Sequence, residues 1–434
     1  MTVRPFMRYC GPAVLLLPML AGTAAGNENA IADKAHLGAA SCASSVCHGK
    51  LARQDDSNVW LNEYRLWTGA DKHSQAYRKL EGEASKKIAA NLGLARATTA
   101  KVCLDCHADN VAADKRGPKF QIRDGVGCEA CHGGAEEWIE THAADGATHQ
   151  ANLAAGMYPS ESPADRAALC LSCHLGSAEK FAGHDIMGAG HPRLSFELEA
   201  FTANQPAHYE VDDDYRARKG EIPGFKLWLI GQAEAARRFA DLVRQKIASG
   251  TRPYPELALY DCFACHHEMD DRRWTPTRGP EIGPGTLRIQ DQHLLILQAA
   301  ASVLETPQLQ AELASNSQAL VLGGQQDLAA ARVAAGRLAQ WLRSRERAWS
   351  SRSFGSDTIA AVRRTIVQQA GKGRMGDFAT AEQVVMALES LSYSLGDHDR
   401  LLAALDQLFE EVADHKRFAP ASFARTSRAV QGQF

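Results

Sequence analysis

The chain carries little net charge and lacks a long apolar run. Its 434 residues hold 48 lysines and arginines against 51 aspartates and glutamates, a formal net charge of −3. That balance gives no reason to expect nucleic acid or an anionic membrane surface as a partner. The most apolar stretch, GPAVLLLPMLA at residues 11–21, is too short to span a bilayer comfortably.

The first residues have the pattern of a secretory signal. Arg4 and Arg8 precede the short apolar run, and the small residues of GTAAGN follow it, which predicts cleavage near Ala25. An uncleaved membrane anchor is the alternative interpretation. We expect residues 1–25 to be a signal peptide, so that the mature protein is periplasmic, meets an oxidising compartment and keeps no transmembrane segment.

No cysteine of the mature chain stands outside a pair. Of the eleven cysteines, Cys10 lies in the signal, and the other ten form five pairs, each followed directly by a histidine. In chain order they are site 1 (Cys42, Cys47, His48), site 2 (Cys103, Cys106, His107), site 3 (Cys128, Cys131, His132), site 4 (Cys170, Cys173, His174) and site 5 (Cys262, Cys265, His266).

Sites 2 to 5 share the spacing C-x-x-C-H, which is the attachment signature of c-type haem. Each cysteine sulfur adds to one vinyl group of the porphyrin, and the adjacent histidine becomes the proximal iron ligand. Paired cysteines can also bind zinc or form disulfides, but neither alternative explains a histidine after every pair. These four sites therefore predict covalently attached haem.

Site 1 has a longer spacer, SCASSVCHGK at residues 41–50, and its interpretation stays open between haem and a local disulfide. Because every other cysteine pair fits haem and His48 stands where a proximal ligand belongs, we favour haem attachment. The expected cofactor content is five haem c groups, or four if Cys42 and Cys47 form a disulfide.

Each iron has a sixth position, which a second histidine can fill. Eleven of the sixteen histidines are not proximal ligands. The distal candidates are His73, His142, His184, His191 and His208. His36, His149 and His293 are weaker candidates, His267 directly follows a proximal ligand, and His398 and His415 are expected on a helical surface.

Three motifs carry a resemblance to a known family: WTGADKHSQAYRKL, GVGCEACHGG and HDIMGAGHPRLSFEL. Residues 36–275 resemble the multihaem cytochromes of the cytochrome c-554 type. The resemblance implies closely paired haems with two histidines on most irons, His73 and His191 as distal ligands, and an electron carrier. The chain departs from the family in its fifth site and in its long C-terminal segment.

We expect a mainly α protein: residues 27–275 as a pentahaem cytochrome c domain with little regular sheet, and residues 288–434 as a C-terminal helical bundle. The short spacer between sites 2 and 3 indicates that these two haems are neighbours. Apolar residues at helical spacing predict one long helix over 223–249. They also predict helices near 288–304, 325–348, 356–370, 378–396 and 398–414. The Pro- and Gly-rich residues 272–286 are expected to be a linker.

Two functions fit this pattern. The first is a periplasmic electron carrier whose donor and acceptor are other redox proteins. The second is an oxidoreductase acting on a small nitrogen or sulfur compound at one five-coordinate haem, with His184, His208 or Tyr209 as proton donors. We prefer the carrier, because nothing marks one haem as special and no lysine replaces a proximal histidine. No catalytic residue and no oligomeric state are assigned.

Overall fold

The computed structural model describes residues 31, 33–54, 59–247, 255–266 and 287–434. The predicted signal peptide, the predicted linker and His267 lie outside the described residues. Within them the protein is mainly helical, as expected, and its only β-structure is two isolated bridges, His36 with Arg116 and Tyr260 with Ile289.

The N-terminal half is built from short helices joined by irregular segments. These are α1 (Glu63–Ala70), α2 (Ala76–Lys79), α3 (Glu83–Asn91), α4 (Lys101–His107), α5 (Glu129–His132), α6 (Ile139–Ala143), α7 (His149–Ala154), α8 (Pro163–His174), α9 (His184–Gly188), α10 (Leu198–Asn204) and α11 (Asp213–Lys219). Only a small side-chain core forms among α2, α3 and α4, around Tyr77, Leu80 and Leu104.

The longest helices follow. They are α12 (Gly224–Lys246), α13 (Gln292–Leu304), α14 (Pro307–Gln326), α15 (Leu328–Ser350), α16 (Ser356–Gly371), α17 (Phe378–Leu395), α18 (His398–Val412) and α19 (Pro420–Val430). Several begin at a side-chain cap: Thr306 accepts from the Leu309 N–H, Asp327 from Ala329 and Ala330, and Asp377 from Thr380. Such caps satisfy amide groups that the helix itself leaves without a partner.

Helix α12 is the central element of this half, and it confirms the long helix expected over 223–249. Phe225, Trp228 and Leu229 are almost fully buried, because α12 packs against α8 on one side and against α13, α15 and α17 on others. A helix that is apolar on most of its surface must be enclosed by neighbours.

One hydrophobic core joins α8, α10 and α12 to all the helices that follow. It extends from Ala167 to Phe434, so apolar packing crosses the predicted boundary at residues 275–288. The division into a haem domain and a bundle therefore stays a prediction. None of the described helices is both long and apolar enough to cross a membrane.

A buried cation ties α16 to the turn between α17 and α18. The Arg363 guanidinium, 2% exposed, donates to both carboxylate oxygens of Asp397 at 2.5 and 2.9 Å, and to Ser392 Oγ at 2.9 Å. These hydrogen bonds, together with one from Arg400, lower the pKa of the Asp397 carboxyl from 3.8 to about 2.

The Asp397→Asn substitution tests this ion pair. Because the folded-state pKa is depressed, the carboxylate stabilises the fold at pH values above about 3.8, and this contribution disappears as the pH falls through about 2. Urea unfolding should show the variant less stable than the wild type near neutral pH, with the difference shrinking across that acid range. Asp399→Asn, at a fully exposed carboxylate, is the control. A difference that does not change with pH would contradict the assignment.

Candidate metal centres

Four of the five cysteine–histidine sites lie on tight helical turns, and site 1 lies in a non-helical turn. Sites 2 and 4 close α4 and α8, site 3 forms α5, and site 5 begins a short 3₁₀ helix at Cys262. Helical geometry places residues three apart on the same face. The two cysteines of each C-x-x-C-H motif therefore point to one side, with the histidine directly after them.

Site 1 closes in the same way in spite of its longer spacer. The His48 N–H donates to the Cys42 carbonyl at 3.1 Å, just as His132 donates to Cys128 at 2.9 Å and His266 to Cys262 at 2.8 Å. The two additional residues are accommodated in a turn over Ser44. Cys42 and Cys47 are free thiols, as are the other eight cysteines of the five sites.

Each proximal histidine faces one of the distal candidates. The distances between ring centroids are 6.0 Å for His48–His142, 6.3 Å for His107–His191, 6.3 Å for His132–His208, 6.2 Å for His174–His73 and 6.3 Å for His266–His184. The structure thus brings the ten predicted ligands together as five pairs, one at each site.

This separation fits a metal ion between the two rings. An imidazole nitrogen binds a metal at about 2.0 Å and the ring centre lies roughly 1.1 Å behind it, so two imidazoles on opposite sides of one ion have centres about 6.2 Å apart.

In four of the ten paired histidines a hydrogen bond engages Nδ1 and leaves Nε2 available for a metal. Nδ1 is bonded in His48 (Glu63 Oε2, 2.8 Å), His73 (Asp71 Oδ1, 2.9 Å), His107 (Ala76 O, 3.1 Å) and His191 (Pro192 O, 2.8 Å). A partner on one ring nitrogen orients the ring and sets the tautomer in which the other nitrogen binds a metal.

His142 follows this pattern once the Asn152 amide is turned over. Asn152 Nδ2 lies 3.2 Å from His142 Nδ1, while the buried Asn152 Oδ1 has no hydrogen-bond partner. Amide oxygen and nitrogen are assigned from their hydrogen bonds. Exchanging them gives Asn152 Oδ1 a donor, the His142 Nδ1–H.

The weaker histidine candidates are engaged elsewhere. His36 is fully buried and uses both ring nitrogens, on Asp109 at 2.6 Å and the Ile31 carbonyl at 2.9 Å. His149 bonds Glu161 through Nε2 at 2.7 Å. His293 bonds Gln232 inside the hydrophobic core at 2.8 Å.

Burial keeps several paired histidines in the neutral form that binds metals. Desolvation lowers the pKa of His132 to about 3 and that of His174 to about 4. Hydrogen bonding to Glu63 and to Asp71 acts in the opposite direction and raises the pKa of His48 and of His73. The two groups of histidines thus differ in the charge placed beside them.

Side-chain contacts between sites identify two close pairs of sites. The thiols of Cys42 and Cys128 lie close enough to shift each other's pKa, which joins sites 1 and 3, and those of Cys106 and Cys173 do the same for sites 2 and 4. Both contacts are between attachment cysteines, so groups bonded to these sulfurs would lie against each other.

Comparison with known proteins agrees with this geometry. Residues 41–133, which contain sites 1 to 3, match the family described as cytochrome c554 and c-prime. The match supports a cytochrome c-554-type haem region in this segment. It implies covalently bound haem c and a haem-based electron-transfer or other redox role. No curated protein and no solved structure matches the chain.

Glu129 is a structural residue of the haem region that the sequence reasoning missed. Its carboxylate, 2% exposed between the site 3 cysteines, accepts backbone N–H bonds from Leu37 and Gly38 at 2.7 Å each and from Ala135 at 2.8 Å. It thereby fixes the segment that leads into site 1. A carboxylate between the two cysteines of GVGCEACHGG was the available signal.

Sites 4 and 5 border a cavity lined by His174, Cys262, Arg193 and, from the C-terminal helices, His293 and Glu382. Arg193 pairs with Glu382 and supplies a cation of the kind that binds carboxylates such as haem propionates. The residues present therefore fit a haem group, and α13 and α17 help to enclose it.

The His48–His142 geometry of site 1, where Cys42 and Cys47 are not joined as a disulfide, predicts a fifth attached haem. The intact mass of the holoprotein should show five haem c groups, and Cys42→Ser/Cys47→Ser should lose one of them. Ser44→Ala, in the same turn, should keep all five. Four haems in the wild type, with Cys42 and Cys47 linked as a disulfide, would contradict the assignment.

Proposed function

We propose that the protein is an exported pentahaem c-type cytochrome that carries electrons between periplasmic redox partners. The observation that carries this proposal is the matching of every proximal histidine with a second histidine at 6.0–6.3 Å. Haem iron with two histidine ligands supplies reversible one-electron chemistry with no open position for a substrate.

The chain's own residues hold the five centres close together and at fixed orientation. The cysteines anchor each ring edge, the paired imidazoles define its axis, and the contacts Cys42–Cys128 and Cys106–Cys173 bring the sites together in twos. Fixed ligands on both sides of an iron also favour electron transfer, because little has to reorganise when the charge changes. Export is supported by the signal pattern in residues 1–25.

The alternative, an oxidoreductase with one five-coordinate haem, requires a proximal histidine that has no opposing ligand. Each of the five proximal histidines instead faces a second histidine. His184 and His208, the residues considered as proton donors, are two of these opposing histidines. No observation on the described residues favours this alternative over the carrier.

Carbon monoxide tests the ligand pairs, because it binds only where the sixth position of a ferrous iron is available. The reduced wild-type spectrum should be unchanged by carbon monoxide. His184→Ala should bind it at one haem in five, since His184 lies on the exposed surface opposite His266. His149→Ala, which removes a histidine that faces none of the five proximal histidines, is the control and should behave as the wild type. Carbon monoxide binding by the wild type would support the enzyme instead.

The exposed surface around site 2 is strongly basic. Between residues 72 and 101 it carries Lys72, Arg78, Lys79, Lys86, Lys87, Arg96 and Lys101 against Glu81 and Glu83. Lys101 begins the helix that ends at His107, and Asn91 bonds the Ala189 carbonyl beside the His191 loop at 2.9 Å. An acidic redox protein would be attracted to this surface and so to site 2.

Charge reversal tests this surface with small oxidants of opposite sign. Lys86→Glu/Lys87→Glu should slow oxidation of the reduced protein by ferricyanide and speed it by tris(phenanthroline)cobalt(III), with both effects weakening as salt is added. Lys372→Glu/Lys416→Glu makes the same change of net charge at exposed positions between the C-terminal helices and should have a smaller effect. Equal effects of the two double variants would show that only net charge matters.

A further inference from the structure

Among the described contacts, the Nδ1 atoms of two of the ten paired histidines donate to carboxylates. Two other paired histidines donate through Nδ1 to uncharged carbonyl groups. His48 Nδ1 lies 2.8 Å from Glu63 Oε2, and His73 Nδ1 lies 2.9 Å from Asp71 Oδ1. His107 and His191 donate instead to backbone carbonyls.

Both carboxylates are held in place by further hydrogen bonds. Glu63 Oε1 accepts the Leu61 N–H at 3.1 Å, and Leu61 is the one non-glycine residue of the described chain with positive φ, at 57°. Strained backbone of this kind persists where the surroundings impose it. The segment before α1 is thus shaped to hold the Glu63 carboxylate against His48.

Asp71 is even more firmly fixed. Its side chain is 8% exposed; Oδ1 accepts the His73 backbone N–H at 2.9 Å as well as the ring, and Oδ2 accepts Gln205 Nε2 at 2.9 Å. These hydrogen bonds hold the Asp71 carboxylate in one orientation, with Oδ1 against the His73 ring.

The two carboxylates are distributed one to each close pair of sites. Glu63 acts on site 1, whose cysteine contacts site 3, and Asp71 acts on site 4, whose cysteine contacts site 2. A carboxylate that accepts the imidazole N–H makes the ligand more basic, and hydrogen bonding around haem ligands is one of the levers that set reduction potential. A more basic ligand stabilises the ferric state.

We propose that Glu63 and Asp71 are potential-setting residues, which make site 1 the lower-potential member of the pair 1/3 and site 4 the lower-potential member of the pair 2/4. Within each pair, an added electron then resides on the higher-potential member, which is site 3 in the first pair and site 2 in the second. This inference rests on the proposed carrier function with five bis-histidine haems.

A redox titration followed by electron paramagnetic resonance tests the proposal. The angle between the two imidazole planes changes the ferric low-spin signal. Site 1, with planes 13° apart, should be distinguishable from site 5, with planes 33° apart, and from sites 2, 3 and 4, with planes 82–89° apart. Glu63→Gln keeps the size and a neutral acceptor, so it should move the midpoint of the near-parallel component upward and leave the others in place.

Asp71→Asn should raise the midpoint of one near-perpendicular component, and it tests the second pair independently if Glu63→Gln folds poorly. Glu83→Gln and Asp114→Asn, both at exposed carboxylates away from the histidines, are the matched controls and should move none.

Unchanged midpoints in variants that retain five low-spin haems would overturn this inference and leave the carrier function standing. A wild type with fewer haems, or with a high-spin component at equilibrium, would instead overturn the proposed function. The two failures are therefore distinguishable in the same titration.

Discussion

At each of the five sites two imidazole rings lie about 6 Å apart, and the rest of the molecule depends on this constraint. Each pair joins a histidine fixed by a local turn to one brought in from a distant segment, such as His73 to His174 or His208 to His132. The short helices and irregular segments of the N-terminal half serve this placement, because with so small a side-chain core they have little else to pack around.

The proximal sites were predictable because their signal is local: two cysteines and a histidine within one turn. The ten ligands could be proposed from sequence, but not their pairing, since each pair is a long-range contact. The short spacer between sites 2 and 3 predicts neighbouring haems and this stays a prediction, while the close cysteines join sites 1 with 3 and 2 with 4. Glu63 and Asn152 were missed because each contacts its histidine from ten or more residues away. Asp71 was also missed, although it lies only two residues before His73.

Among the C-terminal helices, those with regular apolar spacing were predicted from the sequence, with ends within a few residues of the observed ones. Helix α14 (Pro307–Gln326) was missed because its sequence is polar and contains Gly323 and Gly324, and α19 (Pro420–Val430) because it is short. What sequence could not show is that α12 shares one core with these helices and that α13 and α17 line the cavity beside sites 4 and 5. The C-terminal segment thus helps to enclose sites 4 and 5, which lie beyond residues 41–133, the segment that matches the cytochrome c554 and c-prime family.

Near-infrared magnetic circular dichroism of the oxidised holoprotein tests the central claim most directly, because it reports the axial ligands of every ferric haem. The account predicts five low-spin haems per chain, all with two histidine ligands. A high-spin haem, or a low-spin haem with a ligand other than histidine, would contradict it.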